Sequence, residues 1–480
     1  MITQDDLKSI TALINSKAEY LSVNSDLFDI FEGQLSDFVL DDLRCQFSTQ
    51  SFADIKNRVS PINILTKTID KLSQIYQQQP TRTAEDGNEK DEDLLRWYEE
   101  SFRINDVLNA GNEFSNLFRN TLLQPVIDPK TKRPLLRVIP SNRFLVWSND
   151  PINPMRVTHL ILFMGSFTDV NEDGQSSELG LIHIWTDEDF MIIDSMGRAR
   201  PDKMAAGEFE TTHQFGTLPF VYVNYSANLL LPKQDTDSLR MSKLIPVLLS
   251  DLNYAVMYQA FSIIWTLDMQ DEQVQMGPNN IWSMKSDPDS DKKPELGTIK
   301  PEIDIASVLN LVQSQFALWL NTKGIKPGSI GKMDGDNFAS GISKIIDEAD
   351  TAENRAKQVS TFAIAEQELW DLITNHMHPV WTRTGMIENQ TQWTAGVKVK
   401  TNFAPQTPLL SRKDVVETQK IEVESGFTST KRAIHKLNPH MTEKEIDELM
   451  VEIDEESTVA MPPAAEEPNP FDQEPKEEEE

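Results

Sequence analysis

The sequence predicts a mixed α+β fold that is mainly helical. Three observations lead there. Several long segments repeat apolar residues at three- and four-residue spacing. Residues 124–225 instead show short apolar runs separated by Gly, Pro, Asn and Asp. The two kinds of segment are segregated along the chain and do not alternate.

Residues 1 to about 123 are expected to be helical. The spacing of Ile62, Leu65, Ile69, Leu72 and Tyr76 predicts a helix, with Ser60 as N-cap, Pro61 at the first helical position and Pro80 as stop. Residues 81–93 are polar and acidic and read as a loop, and residues 106–122 return to helix through Val107, Leu108, Phe114, Leu117 and Phe118. Two strands, at Val126-Ile127 and at residues 135–139, should flank the basic turn Asp128-Pro-Lys-Thr-Lys-Arg133. Further strands are expected at 144–147, 159–163, 181–185, 190–193 and 220–225. A helix follows over 238–270, delayed or kinked at Pro246. Residues 277–301 suggest turns and short strands around 281–284 and 296–299. Asp304 to Asn321 is a helix with Gly324 as its stop. A loop rich in Gly and Pro, residues 324–339, leads into a long helix from Ser340 to about Met377. Two more helices are expected at 413–425 and 442–455, and no internal repeat is visible.

Composition excludes several classes. The chain of 480 residues has 76 acidic and 45 basic residues, a net charge of −31. Such a balance argues against a surface that grips nucleic acid through its phosphates. One cysteine, Cys45, rules out a disulfide framework and a four-cysteine metal site. The expected helix 37–47 gives Cys45 a core position. The start of the chain has no basic segment leading into an apolar one, so no signal peptide is expected. The apolar stretch 254–267 is too short and too interrupted to cross a bilayer. These features predict a soluble protein of a reducing compartment. Residues 443–480 hold sixteen acids and two lysines, leaving −17 for the other 442 residues. The Pro- and Glu-rich end of that stretch, 457–480, is expected to be a disordered tail.

Catalytic motifs are sparse in the sequence. Gly328-Ser-Ile-Gly331-Lys332-Met333 lacks the spacing of a phosphate loop and has Met333 where Ser or Thr would hold magnesium. Asp169-Val-Asn171-Glu-Asp173-Gly174 matches the first half of a calcium loop, but Gly180 stands where the closing Glu belongs, so a polar hairpin tip is favoured. His376 and His378 do not share a helix face, and His183 sits in an expected strand as a packing residue. No nucleophile elbow is present. No cofactor, no metal and no enzymatic activity are expected; a binding, structural or assembly role is.

The order of elements is helical, β-rich, long helix, small β segment, helix, glycine-rich loop, very long helix, and C-terminal helices with an acidic tail. This order resembles the portal (head–tail connector) proteins of tailed bacteriophages, particularly the long-tailed type. Local patterns agree. Ser60-Pro-Ile-Asn63 with Asp70-Lys-Leu72 and Pro80-Thr-Arg82 is similar to the N-terminal portal helix, and Ser250-Asp-Leu-Asn253 to the first stem helix. Phe338-Ala-Ser340-Gly341 is similar to the helix start beside the tunnel loop. Gly426-Phe427-Thr-Ser429 and the glutamate-rich run 443–456 are similar to the crown.

The resemblance implies a wing (1–235, β-rich from about 124), a first stem helix (236–270), a clip (271–302) and a second stem helix (303–323). It further implies a tunnel-loop region (324–344), a long wing helix with following strands (345–400), a crown (401–456) and the tail. Such subunits form a ring, typically of twelve, at one capsid vertex of the virion, assembled in the host cytoplasm. Viral DNA is packaged and ejected through that ring. The implied partners are further copies of the chain, the terminase large subunit, a head–tail adaptor, and the major capsid and scaffolding proteins. Double-stranded DNA passes without tight binding, and no membrane is involved. Tunnel-loop candidates are Gly328, Gly331, Lys332, Asp334, Gly335, Asp336 and Asn337; clip candidates are Trp282, Lys285, Asp287, Asp291, Lys292 and Lys293. The apolar arc of Ile303, Ile305, Val308, Leu309, Val312, Phe316 and Trp319 is wider than one neighbour would bury, which suits a ring. In a conduit the acidic charge has a use: it keeps a duplex off the wall, where basic patches would hold it. The alternatives are another capsid-vertex or scaffolding-type assembly protein without a DNA channel, and a metal hydrolase built on Asp169, Asn171 and Asp173.

Overall fold

Three helices open the chain: α1 (Gln4–Ser16), α2 (Ala18–Phe31) and α3 (Leu35–Gln46). The computed structural model describes residues 2–49, 52–53, 56–170, 176–203, 212–260, 263–267, 295–299, 304–325, 341–403, 412–437, 446–447 and 449–451. Thr3 and Asp6 form a capping box that satisfies two N–H groups at the start of α1. Leu27, Ile30, Leu35, Val39 and Leu43 are buried together with Leu65, Leu117 and Phe118. Cys45, expected in the core, is exposed. Leu43 holds the inward position, and two residues further on an α-helix has turned by about 200°.

The next helix, α4, is Ile64–Leu72, and its N-cap is Asn63 instead of Ser60: the Asn63 side chain accepts from the Thr66 N–H at 3.2 Å. Ser60 is held from elsewhere, donating its N–H to Ser250 Oγ (3.1 Å) and accepting from Asn253 Nδ2 (2.7 Å). Tyr76 therefore lies beyond the helix. The expected polar loop 81–93 contains strand β1 (Thr81–Glu85) and the start of α5 (Glu89–Phe102), capped by Asn88. Helix α6 (Ile104–Phe118) ends at Arg119, which takes a left-handed conformation (φ 69°), and β2 (Asn120–Ile127) begins earlier than expected.

The β-rich block follows as β3 (Pro134–Pro140), β4 (Phe144–Trp147), β5 (His159–Val170), β6 (Ser176–Trp185), β7 (Phe190–Asp194) and β8 (Val221–Asn224). It forms a three-stranded sheet, β3-β2-β8, and a four-stranded sheet, β4-β5-β6-β7, with antiparallel neighbours throughout. Alternate residues of β4 and β5 point to opposite faces. Leu145 and Ile161 pack with Ile10 of α1, while Phe144, Val146, Leu160 and Leu162 pack with Leu122 and Ile139 of the other sheet. Burial on both faces explains the near-continuous apolar runs.

Helix α7 (Thr236–Ala260) continues through Pro246. The helix expected over 236–270 stops at Ala260; Ile263–Leu267 is strand β9, paired antiparallel with β10 (Glu295–Ile299). Helix α8 (Ile305–Thr322) is capped by Asp304. Helix α9 (Gly341–Asp371) runs into a π-helical segment, Leu372–Met377, then α10 (His378–Thr384). Strand β11 (Lys398–Asn402) returns to pair with β1. All of these elements belong to one compact unit, Met1–Gln406. A second unit, Thr407–Glu480, holds α11 (Arg412–Glu424) and α12 (Thr430–Leu437). There Gly426 takes a positive φ of 79° and Ser429 Oγ accepts from the Arg432 N–H, a turn that starts α12.

Candidate functional site

Helices α7 and α8 flank the β9–β10 pair in sequence and pack on each other. Asp304 starts α8 by accepting from the Ser307 N–H (3.2 Å) and hydroxyl (2.6 Å). Ile245 of α7 is buried with Val312, Trp319 and Leu320 of α8 and with Ile64 of α4, and Met241, Leu248, Leu249 and Phe316 complete the contact. Of the expected apolar arc, Val312 and Trp319 are buried, whereas Ile305, Val308, Leu309 and Phe316 are only half-buried; Ile303 lies outside the described residues. On the outer side, Leu311 is 54% and Leu318 66% exposed. They stand seven residues apart, on one stripe of the helix. Helix α8 contains no Asp, Glu, Lys or Arg, in a chain of which 25% of residues are charged.

The pair is fixed at one end. Asp235 accepts from the Ser238 N–H and hydroxyl at the start of α7 and is paired with Lys323 at the end of α8. Burial opposes ionisation of Asp235; the Lys323 charge and these hydrogen bonds outweigh it, and its carboxyl sits below the usual value. Gly324 stops α8 with φ 68°, and a Cβ there would run into Asn354 Nδ2. Asn354 Nδ2 in turn donates to Lys323 O at 3.2 Å, tying the end of α8 to α9. Along α7, Asp251 is half-buried; burial pushes its carboxyl up, and its Oδ1 has no hydrogen-bond partner among the described residues.

The long helix α9 is anchored by a buried charge cluster. Glu366 is fully buried and accepts from Arg82 Nε (2.7 Å) and Nη2 (3.0 Å), from Tyr76 OH (2.8 Å) and from Thr401 Oγ1 (2.8 Å). Arg82 Nη1 also reaches Glu99 and Asn105, each at 3.0 Å. Burial disfavours the Arg82 charge, but the hydrogen bonds and charge of Glu366 prevail and hold it above the ordinary value. Burial, reinforced by the Glu366 charge, pushes the Tyr76 phenol well up, so it stays a donor. The cluster joins β1, α5, α6, α9 and β11. Past the π segment, His378 is fully buried: Nε2 faces Thr391 O at 2.7 Å and Nδ1 faces Tyr98 OH at 2.8 Å. A carbonyl only accepts, so Nε2 carries the proton and Nδ1 accepts from Tyr98. Burial holds His378 below the usual histidine value, in keeping with a neutral ring.

The clip candidates Trp282, Lys285, Asp287, Asp291, Lys292 and Lys293 lie outside the described residues, as do the tunnel-loop candidates Gly328, Gly331, Lys332, Asp334, Gly335, Asp336 and Asn337. The first of these groups falls between β9 and β10, the second between α8 and α9. Asp169, first residue of the calcium-like pattern, is held by both Arg200 Nη1 (3.0 Å) and Nη2 (3.2 Å), while Asn171 and Asp173 lie outside the described residues. Among the described residues no group of three His, Cys, Asp or Glu side chains is placed to hold a metal ion, and no helix is long and apolar enough to cross a membrane. Neither the Arg82–Glu366 cluster nor the exposed Leu311–Leu318 stripe is among the residues the sequence points to. The absence of charge from 305–322 was the available signal for the second; nothing local signals the first.

No protein-family model matches the chain, and no curated protein matches it. Among solved structures it is similar to a chain in the neck of an empty gene transfer agent (GTA) particle computed with C6 symmetry. That match has 13% identity and TM-score 0.37, covering 79% of this chain and 90% of that one. A chain from the virion of the native particle is 12% identical, TM-score 0.37, with 80% and 92% covered. A chain from the native neck computed with C12 symmetry is 13% identical, TM-score 0.33, with 79% and 90% covered. At these TM-scores the likeness decides neither fold nor function.

Proposed function

We propose that the chain is the repeating subunit of a portal ring at a viral capsid vertex, through which double-stranded DNA is packaged and ejected. The observation that carries this reading is α8, an uncharged helix paired with α7 and exposing Leu311 and Leu318. Copies of a subunit with net charge −31 repel one another. A contact surface free of charge avoids the strongest of those repulsions, and a neighbour that covers the exposed leucine stripe removes apolar area from water. A head-to-tail contact of this kind closes into a ring when its rotation closes.

On this reading α7 and α8 form the stem, and β9 and β10 frame the clip, where Trp282 to Lys293 would meet the terminase large subunit and later the head–tail adaptor. Residues 328–337 would face the DNA. The ring would have about twelve copies, sit among major capsid and scaffolding proteins in the virion, and catalyse no reaction. Negative-stain microscopy of the purified chain tests this: rings with a central hole wide enough for a duplex are expected. Leu311→Asp with Leu318→Asp should yield monomers that keep the far-ultraviolet circular dichroism of the folded chain, because both side chains are exposed. A wild-type monomer at high concentration, or rings unaffected by the double substitution, would overturn the reading. Assemblies without a hole would favour a vertex or scaffolding-type protein instead.

A further inference from the structure

A second surface is independent of the stem. A cavity of about 270 Å³ opens between the two sheets and the π segment, walled by Trp185, Phe190, Phe215, Met377, Trp381 and Met386. The volume falls just below the about 300–1,000 Å³ of pockets for drug-sized ligands and suits one large side chain.

The rim is basic. Arg137 lines this cavity, and Arg137 and Arg143 line a neighbouring depression of about 300 Å³; neither lining includes an acidic residue. Both arginines are exposed and make no ion pair among the described residues. Lys130, Lys132 and Arg133 stand on the β2–β3 turn, where Lys132 Nζ reaches Gly385 O (3.3 Å), next to Met386 on the wall. Arg383 is bound, among the described residues, to the neutral Gln214 (2.7 Å), next to Phe215 on the wall. The acids on this turn and beside Met386 are already engaged: Asp128 caps the turn through the Lys130 N–H and Thr131 hydroxyl, and Glu388 pairs with Arg133.

We propose that this cavity and its rim dock an acidic segment of a partner protein, which seats one large apolar side chain in the cavity and sets its carboxylates against Arg137 and Arg143. A short acidic segment feels chiefly this local rim, whereas a long polyanion also meets the −31 field of the whole chain.

The test is a fluorescence-anisotropy titration of the full chain with the labelled peptide EEDFDEE, beside EEDSDEE and a labelled single-stranded oligonucleotide. The phenylalanine peptide should bind saturably, and at least about tenfold more tightly than the serine peptide, as burial of one aromatic side chain requires. Arg137→Glu and Arg143→Glu, both at exposed positions, should each weaken it by about tenfold. Equal affinity for the two peptides, unchanged binding by both variants, no saturation at millimolar peptide, or tighter binding of the oligonucleotide would overturn the proposal.

Discussion

Replacing Glu366 by alanine should be among the most damaging single substitutions in the first unit. The side chains of Glu366 and Arg82 are fully buried, and the carboxylate accepts four hydrogen bonds from Arg82, Tyr76 and Thr401. Alanine removes both acceptor oxygens, and with them all four bonds, and leaves the guanidinium in the interior with Glu99 and Asn105 as its partners among the described residues. Removing one partner of a buried ion pair costs about 3–5 kcal/mol. The pair itself need not be strongly stabilising, since desolvating two charges offsets much of their attraction. Joint replacement by apolar residues of similar volume, Arg82→Met with Glu366→Leu, should therefore cost less than Glu366→Ala alone. Urea unfolding of the full chain at neutral pH, followed by tryptophan fluorescence, reads both. A loss below about 1 kcal/mol for Glu366→Ala with an unchanged denaturant slope would refute the reasoning, as would a double variant no more stable than the single one.

Three further predictions follow from the geometry. His378, His213 and His159 are all held below the ordinary histidine value, each first by burial. A depressed value means their contribution is complete above the unfolded value of about 6.5 and is lost as pH falls through the folded one. Wild type should therefore lose stability relative to His378→Gln between about pH 7 and 5; parallel pH profiles would count against this. Gly324→Ala, forced into φ 68° with its Cβ against Asn354, should cost about 1–3 kcal/mol by urea unfolding, and Asn354→Ala should restore part of it. Removing residues 457–480 should leave rings intact in micrographs, since the stretch has one aromatic residue, Phe471, among mostly polar and small ones; loss of rings would make the tail structural.

Local signals were readable where the chain answers to its own neighbours. Helix α8 occupies almost the expected 304–321 and Gly324 ends it, as spacing and the stop residue predict, and β4 to β8 stand where apolar runs separated by turn residues place them. Elements fixed by distant partners were not readable. Thr81–Glu85 is a strand because Lys398–Asn402 lies beside it, and its own sequence, Thr-Arg-Thr-Ala-Glu, shows no apolar alternation. Ser60 has the chemistry of a cap but is taken by Ser250 and Asn253 of α7, so Asn63 caps instead. Ile263–Leu267 continues an apolar helical run in composition, yet its β-branched and aromatic residues pair with β10. The α8 face was half legible: its width was visible, but which residues face outward depends on α7 and α4.

The wide turn at Leu372–Met377 gives the long helix two rotational phases. Before it, Phe362, Glu366, Leu369 and Trp370 face inward; after it, His378, Val380 and Trp381 do. One residue of α-helix corresponds to about 100° of rotation. Deleting a single residue within the segment would swing His378 away from Tyr98 and Trp381 off the cavity wall in one step, leaving Arg82 and Glu366 paired upstream. Among chains of common descent, a one-residue gap here should thus be inherited together with replacement of the histidine and the tryptophan. An alignment column that looks like a trivial length difference would then mark the gain or loss of the cavity.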